Sequence, residues 1–280
     1  MDALEGRTAV VTGAASGIGF ALAARFAAAG MQVVMADIEA DPLQKAAVEL
    51  RAAGAEAIAV PTDVSNGDQV DGLAARAVDA FGPIHILCNN AGVGGSGPIA
   101  TLTAADWAWA IGVNLWGVIH GLRAFLPGML AHGEEGHVVN TASMAGLVAG
   151  PTVGAYCASK YAVVAISETL YQEMSMAGSK IGVSVLCPGS VNTRIHQAAR
   201  NRPDQEPGIA YDPNSRFADV VGGMSEMGGF LDASAVADQV YGAIVERRFY
   251  IITHPEWLQG VKARMTAILE DGSPEFRAPI

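Results

Sequence analysis

Tyr156 and Lys160 stand four residues apart in the stretch SMAGLVAGPTVGAYCASK, and Ser143 opens that stretch thirteen residues before the tyrosine. In a helix, positions i and i+4 share one face, a single turn apart. A phenol beside an ammonium is either an accident of a polar surface or a tuned acid–base pair. A free tyrosine has a pKa of about 10, too high for efficient proton transfer near neutrality. An ammonium about 5 Å away, at an effective dielectric of about 20, stabilises the phenolate by about 3 kcal/mol, or about two pKa units. The tuned reading therefore needs a helix carrying both residues and a fold that brings Ser143 to them.

The elements that could do this are legible as an alternation. Short apolar runs at TAVVTG (8–13), QVVMAD (32–37), EAIAVPTD (56–63), IHILCNNAG (84–92), GHVVNTAS (136–143) and GVSVLCPG (182–189) read as buried strands ending in turn signals. Between them, helical spacing is found at about 18–29, 41–53, 66–81, 103–131 and 156–177. Such alternation predicts an α/β fold, a doubly wound parallel sheet covered on both faces, in one domain spanning 1–280. The pattern loosens at about 193–233, where RNRPDQEPGIAYDPNSR and VVGGMSEMGGF follow. A long irregular excursion of this kind is expected to serve function, here as a lid. A helix (about 234–247), a strand RFYIITHP (248–255) and a final helical extension (about 255–280) complete the chain.

Half of the residues are hydrophobic, yet no uncharged apolar run reaches the roughly 18 residues that span a bilayer. The N-terminus MDALEGRTAVV has no basic region followed by an apolar core, so a cytoplasmic location is expected. The net charge of −11 argues against nucleic acid or an anionic membrane as the main partner. Cys88, Cys157 and Cys187 have no CxxC spacing, and Cys88 and Cys187 lie in apolar runs as buried thiols. The six histidines match no metal-ligand spacing, so no metal is expected.

A second constellation lies at the first strand. Thr12 ends it, Gly13, Gly17 and Gly19 follow, and a helix begins. Glycines let the backbone turn and approach a pyrophosphate closely, and a helix N-terminus offers free N–H groups to it. The second strand ends at Asp37, about 20 residues further on. An acid there accepts hydrogen bonds from ribose hydroxyls and repels a 2′-phosphate. Neither Ser16 nor Ile38 is basic, and nothing nearby is expected to neutralise that phosphate. NAD(H) is thus expected in preference to NADP(H). Asp63 and Val64, after the third strand, are placed near the adenine. Asn90, Ala91 and Gly92, after the fourth, are placed beneath the dinucleotide.

In order along the chain, these residues carry a resemblance. T-G-x-x-x-G-x-G at Thr12–Gly19 (with Ser16 and Ile18 inside it), N-N-A-G at 89–92, Asn114 in GVNLWG, Ser143, Y-x-x-x-K at Tyr156–Lys160 and P-G-x-V-x-T at Pro188–Thr193 resemble the short-chain dehydrogenase/reductase family. The likeness runs from about residue 5 to 195. It implies a Rossmann-like sheet of about seven strands, dinucleotide binding and a Ser–Tyr–Lys site assisted by an asparagine.

The resemblance gives each residue an expected role. Tyr156 is the general base in oxidation of an alcohol and the general acid in reduction of a ketone. Lys160 lowers its pKa and holds the nicotinamide ribose. Ser143 orients the substrate oxygen, and Asn114 anchors a water that links Lys160 to solvent. Pro188, Gly189, Val191 and Thr193 line the nicotinamide. Phe217, Met224, Met227 and Phe230 from the lid, with Leu147, Val148 and Val153, form an apolar wall suited to a hydrophobic secondary alcohol or ketone. Arg194 is the one basic residue that the order of the chain brings near the site. A helix as apolar as WAWAIGVNLWGVIHGLRAFLPGML implies burial against another subunit, in a homodimer or homotetramer. The competing reading is a non-catalytic NAD(H)-binding redox sensor. An isomerase or dehydratase using bound NAD is disfavoured, because such relatives are longer.

Overall fold

Seven short strands pair in parallel in the order β3-β2-β1-β4-β5-β6-β7. They are β1 (Thr8–Thr12), β2 (Gln32–Asp37), β3 (Ala57–Pro61), β4 (Ile86–Asn89), β5 (Gly136–Thr141), β6 (Ile181–Cys187) and β7 (Tyr250–Ile252). The structure is a computed structural model and describes residues 4–203, 229–270 and 272–274. The helices between the strands are α1 (Gly17–Ala28), α2 (Ala40–Ala52), α3 (Gly67–Phe81), α4 (Ala104–Ile111), α5 (Gly117–Ala131), α6 (Gly154–Met176), α7 (Ala233–Glu246) and α8 (Leu258–Leu269). Of the described residues, no helix is long and apolar enough to cross a membrane.

Successive side chains on a strand point to opposite faces, so each central strand must be apolar throughout when helices cover both sides. Val11, Met35, Ile86 and Leu186 pack with Leu22, Phe26, Leu43 and Ile244 on the α1, α2 and α7 side. Their neighbours Val10, Val34, Leu87 and Val183 pack with Leu73, Phe125, Met129 and Leu170 on the opposite side. The strand order reverses at β1, which has β2 on one side and β4 on the other. A crevice opens beyond the carboxyl ends of the strands at such a switch point.

The helix expected over 103–131 forms over Ala104–Ala131, with one change of hydrogen-bond pattern inside it. A π turn at Gly112–Trp116 separates α4 from α5, with Asn114 buried at its centre. An inserted π turn adds a residue to the helical ladder and re-aims the side chain it carries. Here that side chain turns inward and binds Val93. Its Oδ1 accepts the Val93 N–H at 2.8 Å, and its Nδ2 donates to the Val93 carbonyl at 3.0 Å.

The irregular excursion after β6 leaves and re-enters the fold at one place. The Asn192 N–H donates to the Leu231 carbonyl at 2.9 Å and the Leu231 N–H to the Ser190 carbonyl at 3.1 Å. Residues 204–228, which include Phe217, Met224 and Met227, lie outside the described residues, as do 275–280 of the expected C-terminal extension.

Candidate active site

The glycine turn is shaped by how closely backbones approach one another. Gly13 adopts φ +69°, and a Cβ on it would fall 2.8 Å from the Ala91 Cα. A Cβ on Gly19 would fall 2.1 Å from the Gly13 carbonyl oxygen. Gly17, at φ +56°, lies against Thr193, whose Cγ2 would be 3.1 Å from an added Cβ. Thr12 ties the turn to the end of β4: its Oγ1 accepts the N–H groups of Asn90 at 2.9 Å and Ala91 at 3.0 Å. Asn90 returns a bond from Nδ2 to the Thr12 carbonyl at 2.9 Å.

Asp37 is pinned by two backbone N–H groups, Ala15 to Oδ2 and Glu39 to Oδ1, each at 3.0 Å. Burial raises its pKa, and those two bonds oppose the rise. Asp63 turns its carboxylate onto Ser65, accepting from both N–H and Oγ. Val64 is buried where a Cβ on Gly117 would meet it at 2.7 Å. Opposite, the Gly189 N–H donates to Thr253 Oγ1 at 3.0 Å. A side chain on Gly189 would strike His254, which is itself buried.

Tyr156 and Lys160 lie on the first turns of α6, one face inward, as the i, i+4 spacing requires. Ser143 caps a short 3-10 turn, Met144–Gly146, with Oγ accepting the Ala145 N–H at 3.1 Å. Ser159 was not anticipated. Fully buried, it donates from Oγ to the Tyr156 carbonyl at 2.7 Å and accepts from Asn114 Nδ2 at 3.2 Å. Its position three residues past Tyr156 on the same helix was the available signal.

The electrostatics differ from the expectation. Burial raises the Tyr156 pKa above its ordinary value, while the Ser143 hydroxyl pulls the other way. Lys160 Nζ is 5.6 Å from the centre of the Tyr156 ring and donates to the Thr141 carbonyl at 2.9 Å. Burial lowers its own pKa from 10.5 to about 8. The ammonium is held against a carbonyl rather than the phenol oxygen, so desolvation wins.

A single crevice of about 1860 Å³ is lined by eighteen of the twenty sequence-nominated residues. The two exceptions are Thr12 and Asn114, which stand behind its wall and position the residues that form it. Val148, Val153 and Phe230 also line it, and Phe230 is half exposed. Leu147 does not, packing instead with Val163 and Cys187. Arg194 is not alone there: Arg200, Arg202, Lys262 and Arg264 line the crevice too. Arg202 pairs with Asp106 at 2.5 Å and lies over Trp109. The three cysteines are free and buried.

The residues fit a dinucleotide. Glycines bring the turn and α1 close enough for backbone N–H groups to meet a pyrophosphate, and Asp37 waits at the end of β2.

Comparison with known proteins agrees with this geometry. A family model described as short chain dehydrogenase matches residues 7–204. A curated relative from Lactiplantibacillus plantarum, "CLA biosynthesis dehydrogenase/reductase", is 33% identical over 98% of this chain and 97% of its own. The "1-deoxy-11-beta-hydroxypentalenate dehydrogenase" of Streptomyces avermitilis is 39% identical over 90% of this chain and 86% of its own. Among solved structures, a short chain dehydrogenase/reductase from Burkholderia phymatum in complex with NAD is 46% identical, covers all of both chains and superimposes with a TM-score of 0.93. With a seven-stranded parallel sheet, a glycine turn at its switch point and the matched span taken together, the chain belongs to the short-chain dehydrogenase/reductase family.

Proposed function

We propose that this protein is an NAD(H)-dependent oxidoreductase that interconverts a hydrophobic secondary alcohol and its ketone. The observation that carries this is the convergence of Ser143, Tyr156 and Lys160 on the crevice whose other end holds the glycine turn and Asp37. A bound dinucleotide supplies the acceptor or donor of the hydride. Tyr156 takes the hydroxyl proton in oxidation and returns it in reduction. Ser143 orients the reacting oxygen beside the phenol. Lys160, fixed by Thr141, holds the ribose side of the site, and Asn114 with Ser159 fixes the backbone of Tyr156. Glycines 13, 17 and 19 admit the pyrophosphate. Asp37 receives the ribose hydroxyls and sets NAD above NADP, Asp63 and Val64 border the adenine, and Pro188, Gly189, Val191 and Thr193 border the nicotinamide.

The substrate class is read from Val148, Val153 and Phe230 in the wall, with the stretch 193–233 as a lid over it. The Streptomyces avermitilis relative, named for a hydroxypentalenate, supports the same class. Trp116, Leu130 and Tyr171 on the outer faces of the π turn, α5 and α6 are 43–50% exposed and support assembly as a dimer or tetramer.

A panel of secondary alcohols with NAD⁺, followed by NADH absorbance, tests the activity. Turnover of one or more alicyclic or aryl alcohols is expected. Tight NAD(H) binding with no turnover across the panel would favour the redox-sensing alternative.

A further inference from the structure

The expectation that nothing near Asp37 could neutralise a 2′-phosphate is corrected by the structure: two arginines from a distant segment stand there. Asp37, Glu39, Arg194 and Arg200 all line the same end of the crevice. Arg200 comes from the 3-10 segment Ile195–Asn201, over 150 residues away in the chain. Glu39 grips it with both oxygens: Arg200 Nε donates to Oε1 at 3.1 Å and Nη2 to Oε2 at 2.6 Å. Arg194 Nη2 stands 3.8 Å from the same Oε1. Arg200 Nη1 donates to the carbonyls of Arg194 at 3.2 Å and Gln197 at 2.9 Å. A guanidinium has five N–H donors in a fixed fork. Four are thus engaged. The Glu39 and Arg200 side chains are 15% and 27% exposed.

A guanidinium fork serves a phosphate as well as a carboxylate. Building on the dinucleotide reading above, we infer that Glu39 occupies the fork of Arg200 and so withholds it from a 2′-phosphate on the adenosine ribose. Coenzyme choice then rests on two acids. Asp37 receives the ribose hydroxyls, and Glu39 silences the Arg200 fork that would accept the phosphorylated form. Removing Asp37 alone leaves Arg200 engaged and a carboxylate in place. Removing the charge of Glu39 leaves Arg200 held on its own segment by two carbonyls, with Nε and Nη2 open.

Calorimetric binding of NAD⁺, NADP⁺ and 2′,5′-ADP to the wild type, Glu39→Gln, Glu39→Ala, Asp37→Ala and Glu39→Gln/Arg200→Met tests this. Both Glu39 variants are expected to bind 2′,5′-ADP and NADP⁺ at least about tenfold tighter than the wild type, one charge-assisted bond's worth. NAD⁺ binding stays within about threefold, and adding Arg200→Met erases the gain. Asp37→Ala gives a smaller gain than Glu39→Gln. No gain in either Glu39 variant, or a gain that survives Arg200→Met, overturns the inference. Loss of NAD⁺ binding in both Glu39 variants also overturns it, because Glu39 would then be holding the fold. The underlying coenzyme reading fails differently: a wild type that binds neither dinucleotide, or binds NADP⁺ as tightly as NAD⁺.

Discussion

Lys160 and Tyr156 share one face of α6, yet the ammonium bonds the Thr141 carbonyl at 2.9 Å and stands 5.6 Å from the centre of the phenol ring. The pair is adjacent without being joined. Burial therefore governs both groups, pushing the phenol up and the ammonium down.

For Tyr156 this sets the pH dependence. In the proposed mechanism the base in oxidation is the phenolate, and a raised pKa means that its fraction grows with pH from neutrality upward. The oxidation kcat/KM is expected to climb with pH above about 7, and the reduction kcat/KM to stay level until pH nears the raised pKa of the phenol. Tyr156→Phe should lose about a thousandfold in turnover, within the usual reach of acid–base catalysis, while NAD⁺ binds within about twofold of wild type. Rate profiles in both directions, with calorimetry on the variant, check this. Oxidation that slows as pH rises would remove Tyr156 as the base.

For Lys160 the consequence is one of stability. Its folded pKa of about 8 lies below the ordinary 10.5, so between those values the unfolded chain holds a proton that the folded chain has released. Stability from this group is therefore complete above about 10.5 and is lost as pH falls through about 8. The gap corresponds to about 3 kcal/mol. Urea titrations of wild type and Lys160→Met across this range should show the wild type gaining on the variant by about that amount. A difference that stays constant with pH would show that the ammonium is not desolvated.

Gly19 admits no side chain. A Cβ there would lie 2.1 Å from the Gly13 carbonyl oxygen and 2.7 Å from Asn90 Nδ2. The obstruction is backbone, so the turn itself must move. Gly19→Ala is expected to destabilise the fold by about 1–3 kcal/mol and to abolish dinucleotide binding. Thermal melts with calorimetry test both, and unchanged affinity would detach the turn from the coenzyme.

Ser159 is expected to act through others. It joins Asn114 Nδ2 to the Tyr156 carbonyl, so Ser159→Ala loosens the first turn of α6. Stability should fall by about 1–2 kcal/mol. A positioning role adds a drop in kcat with the coenzyme KM unchanged, whereas a merely structural one leaves kcat alone. Steady-state kinetics at saturating coenzyme distinguish the two.

The strands were legible because parallel strands covered on both faces are apolar at nearly every inner position, as VVMA (33–36) in β2 is. The site residues were legible where a local rule governs them. Tyr156 and Lys160 follow helix periodicity, and the glycines follow the geometry of a strand-to-helix turn. What escaped was set by distance along the chain. Glu39 and Arg200 meet across 161 residues, and no local pattern in either stretch predicts it. The π turn at Asn114 was hidden for another reason: one inserted residue leaves the apolar pattern of the flanking α-helical turns readable, and the bonds of Asn114 to Val93 span 21 residues of chain.

The paired bonds between Ser190, Asn192 and Leu231 close the neck of the excursion that follows β6. A neck of this kind fixes the two ends of what lies beyond it. Doubling the length of a flexible insert between fixed ends costs only about 0.6 kcal/mol, so the sheet hardly registers what is spliced in. By the inference above that segment also carries Arg200, so exchanging it between relatives is expected to change coenzyme choice along with any substrate range it sets.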